Sequence, residues 1–211
     1  MATSHDVQQG EHLSGIAQKY GFRSYEVIWN HAKNAALKKK RVNPNVLFPG
    51  DVLFIPDKKQ KVEQGATTAM HLFRLTIPKL KLRVVVRARD GTPVPSADCE
   101  LEIDGKKEKL KADGDGLVEK PIAATASGGT LRVPDLQIEA PIKIGHLDPI
   151  DEQSGLMGRL ANLGYYRGDM ENVNQDELIS ALEEFQCDQR LTVDGKFGPQ
   201  TQAKLKEVHG C

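Results

Sequence analysis

The sequence predicts a chain of mixed α+β class made of three small units: an N-terminal β-α-α-β unit, a central all-β sandwich and a C-terminal three-helix unit. Three observations carry this expectation. Apolar residues recur at helical spacing toward both ends of the chain, they alternate at strand spacing in the middle, and clusters of turn-forming residues separate the segments. A chain of 211 residues has room for one or two ordinary domains or three small ones. The expected units are residues 1–57, 71–146 and 147–211, with a polar linker at 58–70.

In GEHLSGIAQKYGF, Leu13, Ile16, Ala17 and Tyr20 fall at i, i+3, i+4 and i+7, one face of a short helix that Gly21 ends. Ser24 has the chemistry of an N-cap for a second helix that carries Val27, Ile28 and Trp29. Trp29 continues this apolar run, so it is expected in the core rather than as a sugar-stacking platform. In NPNVLFPGDVLFIP, Pro49-Gly50-Asp51 is a turn, and Leu53 and Ile55 alternate with Val52, Phe54 and Pro56 as in a strand. Its partner strand is expected near His5 to Gln8. The stretch from His31 to Arg41 forms a long link between the second helix and that last strand.

Beyond the linker, Leu80, Leu82, Val84, Val86 and Ala88 alternate with Lys79, Lys81, Arg83, Val85, Arg87 and Arg89, a strand with one buried and one basic face. Lys81, Arg83 and Arg87 on that basic face are expected to dock a partner. CELEIDGKK repeats the alternation through Cys99, Leu101 and Ile103 and ends in an Asp104-Gly105 hairpin turn. ADGDGLVEKPI and TLRVPDLQI add turns and strands. The DGDG run lacks the spacing and the terminal Glu of an EF-hand loop and reads as a turn.

After Asp148-Pro149, Leu156, Leu160 and Leu163 mark a helix that Gly164 closes. A second helix carries Leu178, Ile179, Leu182 and Phe185. Asp194-Gly195 and Gly198-Pro199 form turns before the last helix. Asp194 and Thr201 are of types that more often bond backbone in a turn and cap a helix than touch a ligand.

Formal charge cancels over the chain, yet residues 1–111 carry 20 Lys and Arg against 12 Asp and Glu, while residues 112–211 carry 9 against 17, a net of +8 and −8. Contact between the halves, an anionic partner for the first half, or solubility alone would each account for the split. No apolar run approaches the ~20 residues of a membrane helix, and MATSHDVQQGEHL lacks a signal-peptide pattern, so synthesis in the cytoplasm without a signal peptide is expected. Cys99, Cys187 and Cys211 are too few for a disulfide scaffold.

No constellation of catalytic groups stands out in the sequence. Only His71 and His146 bracket the central unit, without HxH or HExxH spacing, and Glu100, Glu102 and Asp104 alternate on a solvated strand face. The terminal His209-Gly210-Cys211 is similar to the residues around the L,D-transpeptidase nucleophile, but no Arg follows and no catalytic unit precedes it. A structural cap, or a disulfide from Cys211 to Cys187, is the expectation. No enzyme activity, cofactor, metal site, nucleic-acid partner or membrane insertion is expected.

Two resemblances give these units a function. Gly10-Glu11, Leu13-Ser14, Ile16-Ala17, Tyr20-Gly21, Asn30 and the run from Pro49 to Pro56 resemble a LysM domain, a βααβ module that binds chitin or peptidoglycan glycans. The likeness implies a glycan groove at Gly10, Glu11, His12, Leu13, Asn43, Pro44 and Leu47, with His12 standing where the family usually has a Thr or Ser cap. Leu163-Gly164-Tyr165, Phe185-Gln186, Leu191, Asp194-Gly195, Phe197-Gly198-Pro199 and Thr201 resemble the peptidoglycan-binding domain of bacterial wall hydrolases. That likeness implies wall contacts at Tyr165, Asp194, Phe197 and Thr201; here Asp169-Met170-Glu171-Asn172 replaces the first internal Asp-Gly turn.

The central unit is similar to Ig-like or transthyretin-like carrier domains. The order of units resembles wall-binding accessory proteins of type VI secretion or phage-tail-like machines. This implies a noncatalytic peptidoglycan-binding or anchoring protein that reaches the envelope by non-Sec export and has a spike or baseplate protein as its partner. The alternatives are an accessory of a wall hydrolase or transpeptidase, or an intracellular assembly protein that uses the modules for docking.

Overall fold

The computed structural model describes residues 2–58, 62, 64–72, 79–88 and 91–210. The fold is mixed α+β, with small antiparallel sheets and two groups of helices. Strands β1 (Thr3–Asp6) and β2 (Val52–Ile55) pair antiparallel, Thr3 opposite Ile55 and Asp6 opposite Val52. Between them lie α1 (Leu13–Lys19), α2 (Glu26–Trp29), a 3₁₀ turn (Ala32–Asn34) and α3 (Ala35–Lys40). Val7, Leu13, Ile16, Ile28, Trp29, Leu47, Leu53 and Ile55 form their shared core.

Three expectations shift here. The first strand lies at Thr3–Asp6 rather than His5 to Gln8, because the Gln8 N–H turns to the Glu11 carboxylate (3.1 Å) and draws the chain out of the sheet. The long link after α2 is helical. AALKKK is rich in good helix formers, and Leu37 on α3 packs against the core. The N-cap position of α2 is Tyr25, one residue beyond the expected Ser24, whose hydroxyl still accepts the Glu26 N–H at 3.2 Å.

The middle holds two antiparallel sheets over one hydrophobic cluster. Strand β3 (Leu80–Val85) pairs with β6 (Leu117–Ile122). The strands β4 (Asp98–Ile103), β5 (Lys106–Lys111), β7 (Gly128–Val133) and β8 (Ile138–Lys143) form a four-stranded sheet in the order β5-β4-β7-β8. Val118 from the first sheet meets Cys99, Leu101, Leu131 and Val133 from the second in the cluster. Asp104 and Gly105 join β4 to β5 with φ of 49° and 76°, the left-handed pair that a two-residue hairpin turn requires. In the DGDG run, one Asp113 carboxylate oxygen accepts the N–H groups of Asp115 and Leu117, so this stretch is a turn.

Helices α4 (Gln153–Leu163), α5 (Gln175–Asp188) and α6 (Pro199–His209) close around Leu160, Phe185 and Leu205. Gly164 ends α4 at φ +90°, where a Cβ would be strained. Asn174 caps α5 by accepting the Asp176 N–H. Ile179 does not join Leu178, Leu182 and Phe185 in the core: one residue on from Leu178 it has rotated off the apolar face, and it is 42% exposed. Cys211 and Arg89, which the sequence reading singled out, lie outside the described residues.

Candidate functional site

In the C-terminal bundle, the turn between α5 and α6 is organised by Gln186, the polar half of the Phe185-Gln186 pair. Gln186 is 1% exposed. The two hydrogens of its Nε2 are shared among Asp194 Oδ1 (2.9 Å), the Lys196 carbonyl (3.0 Å) and Thr201 Oγ1 (3.0 Å), and its Oε1 accepts the N–H groups of Asp194 and Gly195 (both 3.0 Å). Asp194 Oδ1 also accepts the Lys196 N–H, and with the Gln186 amide this holds its carboxyl below the usual carboxylate range. Thr201 is buried on the first turn of α6, bonded to Gln186; the N-cap position itself is Gly198. The sequence cue to Gln186 was a polar residue directly after Phe185 on the inward face of an amphipathic helix.

Tyr165 lies edge-on to Phe185, ring centroids 5.4 Å apart, and its hydroxyl donates to Asp188 (3.1 Å). Burial and that carboxylate push its phenol pKa up. Phe197 packs half-buried against the bundle core. At Asp169, where an Asp-Gly turn was replaced, the carboxylate still builds a turn by accepting from Glu171 N–H and Asn172 Nδ2.

In the N-terminal unit, the residues expected to line a groove separate by burial. Leu13 and Leu47 are core side chains, 0% and 3% exposed, so at those two positions only backbone can face a ligand. His12 is buried and caps α1, its Nδ1 accepting the Gly15 N–H at 3.3 Å, and burial lowers its pKa. The imidazole thus fills the role a Thr or Ser cap would take. Burial pushes the Glu11 carboxyl up, but bonds from the Gln8 N–H, Lys19 and His5 outweigh it and bring the pKa below its ordinary value. The Pro44 carbonyl accepts the Leu13 N–H, and Asn43 Oδ1 accepts the Asn45 N–H. The first of these bonds joins the two loops, as do those from Ser14 to Asn45 Oδ1.

The first of these loops is not open on all sides. A Cβ at Gly145 would stand 2.3 Å from the Gly10 carbonyl and 3.1 Å from the His12 ring, so the segment after β8 lies directly on it. The second contact between units is electrostatic. Arg41, 2% exposed, bonds Asp51 through Nε (2.9 Å) and Nη2 (3.3 Å) and reaches Asp151 (3.4 Å) and Glu152 (3.6 Å) at the start of the bundle. Burial disfavours the guanidinium charge, yet Asp51 first and the other two carboxylates after it hold its pKa above the ordinary value. Here the positive first half of the chain does touch the negative second half.

The basic face of β3 is partly neutralised from within. Glu119, opposite Arg83 on β6, accepts from Lys81 Nζ at 2.7 Å and lies 3.5 Å from Arg83 Nε, while Arg87 donates to the Gly91 carbonyl. On the basic face expected to dock a partner, Lys81 and Arg83 are thus paired across the sheet with Glu119, and Arg87 is bonded to backbone. Opposite charges on facing strands explain the pairing, and alternation along one strand says nothing of its neighbour.

His5 is engaged at both ring nitrogens: its Nε2 meets Glu11 at 2.7 Å and its Nδ1 meets the Tyr20 hydroxyl at 3.2 Å. The third member is a phenol packed against the core, so the chain of bonds ties β1 to the end of α1. Cys99 is buried, which raises its thiol pKa, and Cys187 is exposed as a free thiol. Among the described residues no three His, Cys, Asp or Glu side chains converge as metal ligands, and no helix is long and apolar enough to cross a membrane.

Residues 156–205 match the family model described as "Putative peptidoglycan binding domain". The match runs from Leu156 in α4 to Leu205 in α6 and contains the whole Gln186 network. No curated protein and no solved structure matches the chain.

Proposed function

We propose that the protein is a noncatalytic peptidoglycan-binding accessory whose C-terminal bundle holds the cell-wall polymer. The observation that carries this reading is the family match across the three helices, supported by the intact Gln186 turn within it. Peptidoglycan lies in the cell envelope, so the protein acts there. The N-terminal unit serves as a LysM-type glycan module and the central sheets as a spacer or docking surface. A contractile secretion or injection machine is the route, and its spike or baseplate the protein partner.

The test is sedimentation of the full-length protein with purified sacculi. Deleting residues 147–211 should abolish most binding, and deleting 1–57 should weaken what the bundle alone retains, because two linked modest sites gain from effective concentration. Incubation should release no soluble muropeptides; any release would overturn the noncatalytic reading. Envelope delivery that persists in cells lacking the contractile machine would remove the proposed route.

A second reading rests on the seat of Gly145 against Gly10 and His12. The N-terminal unit then docks to the rest of the chain instead of to a glycan. Deletion of 1–57 would in that case leave sacculus binding intact and lower the melting temperature of the remainder.

A further inference from the structure

Between the N-terminal unit and the bundle lies a cavity of about 350 Å³. One wall is the chain leaving α3, with Lys40, Arg41 and Asn43; the other is the Asp151 segment together with Arg159 of α4 and Lys206 of α6. Its polar lining is dominated by donors. Asn43 lines the cleft with its Oδ1 engaged by the Asn45 N–H. Lys206 has no ion-pair partner among the described residues. Arg41, anchored by Asp51, reaches Asp151 only at 3.4 to 3.5 Å, longer than a good charge-assisted bond, and the Asp151 side chain is 53% exposed and able to swing away.

Donors on both walls, Lys206 among them without an ion pair, suit a group that only accepts. A carboxylate offers about four lone-pair sites and donates nothing. The volume falls at the small end of the roughly 300–1,000 Å³ typical of ligand pockets, enough for a residue or two of a peptide and too little for a long oligomer. We propose that this cleft binds a carboxylate of the wall polymer's peptide, held by Lys206 and Asn43 with Arg41 beneath. This deepens the peptidoglycan reading and rests on it. The site then belongs to neither unit alone, and the Arg41 contact to Asp151 is the gate that an incoming carboxylate replaces.

The experiment uses the full-length protein and sacculi stripped of phosphate-bearing polymers, either native or with their carboxyl groups amidated by carbodiimide and ethanolamine. Wild-type protein should bind native sacculi about tenfold more tightly than amidated ones, the loss expected for a charge-assisted pair. Lys206→Glu should lose about the same factor on native sacculi and nothing on amidated ones, Asn43→Asp a smaller factor in the same direction, and Asp151→Asn should tighten native binding. Equal affinity for the two sacculi, or wild-type binding by both Lys206→Glu and Asn43→Asp, overturns the cleft while leaving the peptidoglycan reading standing. Binding to neither preparation overturns both. The comparison of native with amidated sacculi needs no variant, so it decides the matter even where a substitution unfolds the chain.

Discussion

The N-terminal unit and the C-terminal bundle each pin their chain with one buried amide and each bury an arginine, Arg41 and Arg159, and they differ in what the two guanidiniums meet. In the first unit Asn34 donates to the carbonyls of Ile28 and Phe54 and accepts the Phe54 N–H, fastening the end of α2 to β2. In the second, Gln186 does the same for the turn before α6. Each amide is satisfied by groups of its own unit. The buried cation Arg41 has Asp51 as its local partner and also draws on Asp151 and Glu152 from the bundle. Arg159 Nη1 donates to the carbonyls of Asp148 and Gly155 inside the bundle, whereas Arg41 draws on carboxylates of both units, since a desolvated guanidinium keeps residual attraction for any carboxylate within reach.

The sharpest way to break this contrast is Arg41→Met. It strands Asp51, itself buried, and should cost about 3–5 kcal/mol in urea denaturation, with Asp51→Asn on top recovering part of the loss. Asp151→Asn should cost under about 1 kcal/mol, since that carboxylate is exposed. A large effect there would mean that the two units depend on each other for folding.

Gln186→Leu should come next, at about 2 kcal/mol, because the Asp194 and Gly195 N–H groups lose their acceptor at a turn that is partly solvated. Its effect should be confined to the bundle, read as lost amide-exchange protection in α5 and α6 with the N-terminal unit unchanged. Spread of the loss to α1 would erase the distinction between a self-contained amide and a shared charge.

Acid should separate the regions more gently. Burial, with the Arg159 charge adding to it, lowers the His209 pKa from 6.5 to about 4. The unfolded chain then binds more protons between those values, so this contribution to stability is complete above about pH 6.5 and drains away as pH falls toward 4. His12 is shifted in the same direction by burial. His209→Gln should flatten the fall in melting temperature over that window, and an unchanged slope would assign the acid sensitivity to the N-terminal unit.

The smallest effect belongs to the strand pairs. Lys81→Glu with Arg83→Glu places three carboxylates together at Glu119, yet all are exposed, and the cost should stay within about 1 kcal/mol at moderate salt. Adding Glu119→Lys should restore the loss. If the double variant instead abolishes co-purification of a protein partner with its fold intact, the strand face is a docking surface in spite of its internal pairing.

Local patterns were legible wherever one chain segment settles its own geometry. The sequence by itself determined the helices α1, α4, α5 and α6, the Asp104-Gly105 hairpin, the DGDG turn, the Gly164 cap and the core positions of Trp29 and Phe185, since spacing and backbone sterics act over a few residues. Within the candidate site, the peptidoglycan-binding likeness of the bundle could be read the same way. Tertiary structure alone decided which polar groups meet. Glu119 against Lys81, Gln186 against Thr201, Arg41 against Asp151 and Gly145 against Gly10 join positions from 15 to 135 residues apart. Such pairings are chosen by how the surfaces of separate elements come to rest on one another, and a linear pattern of charges and amides is compatible with many partners until packing selects one.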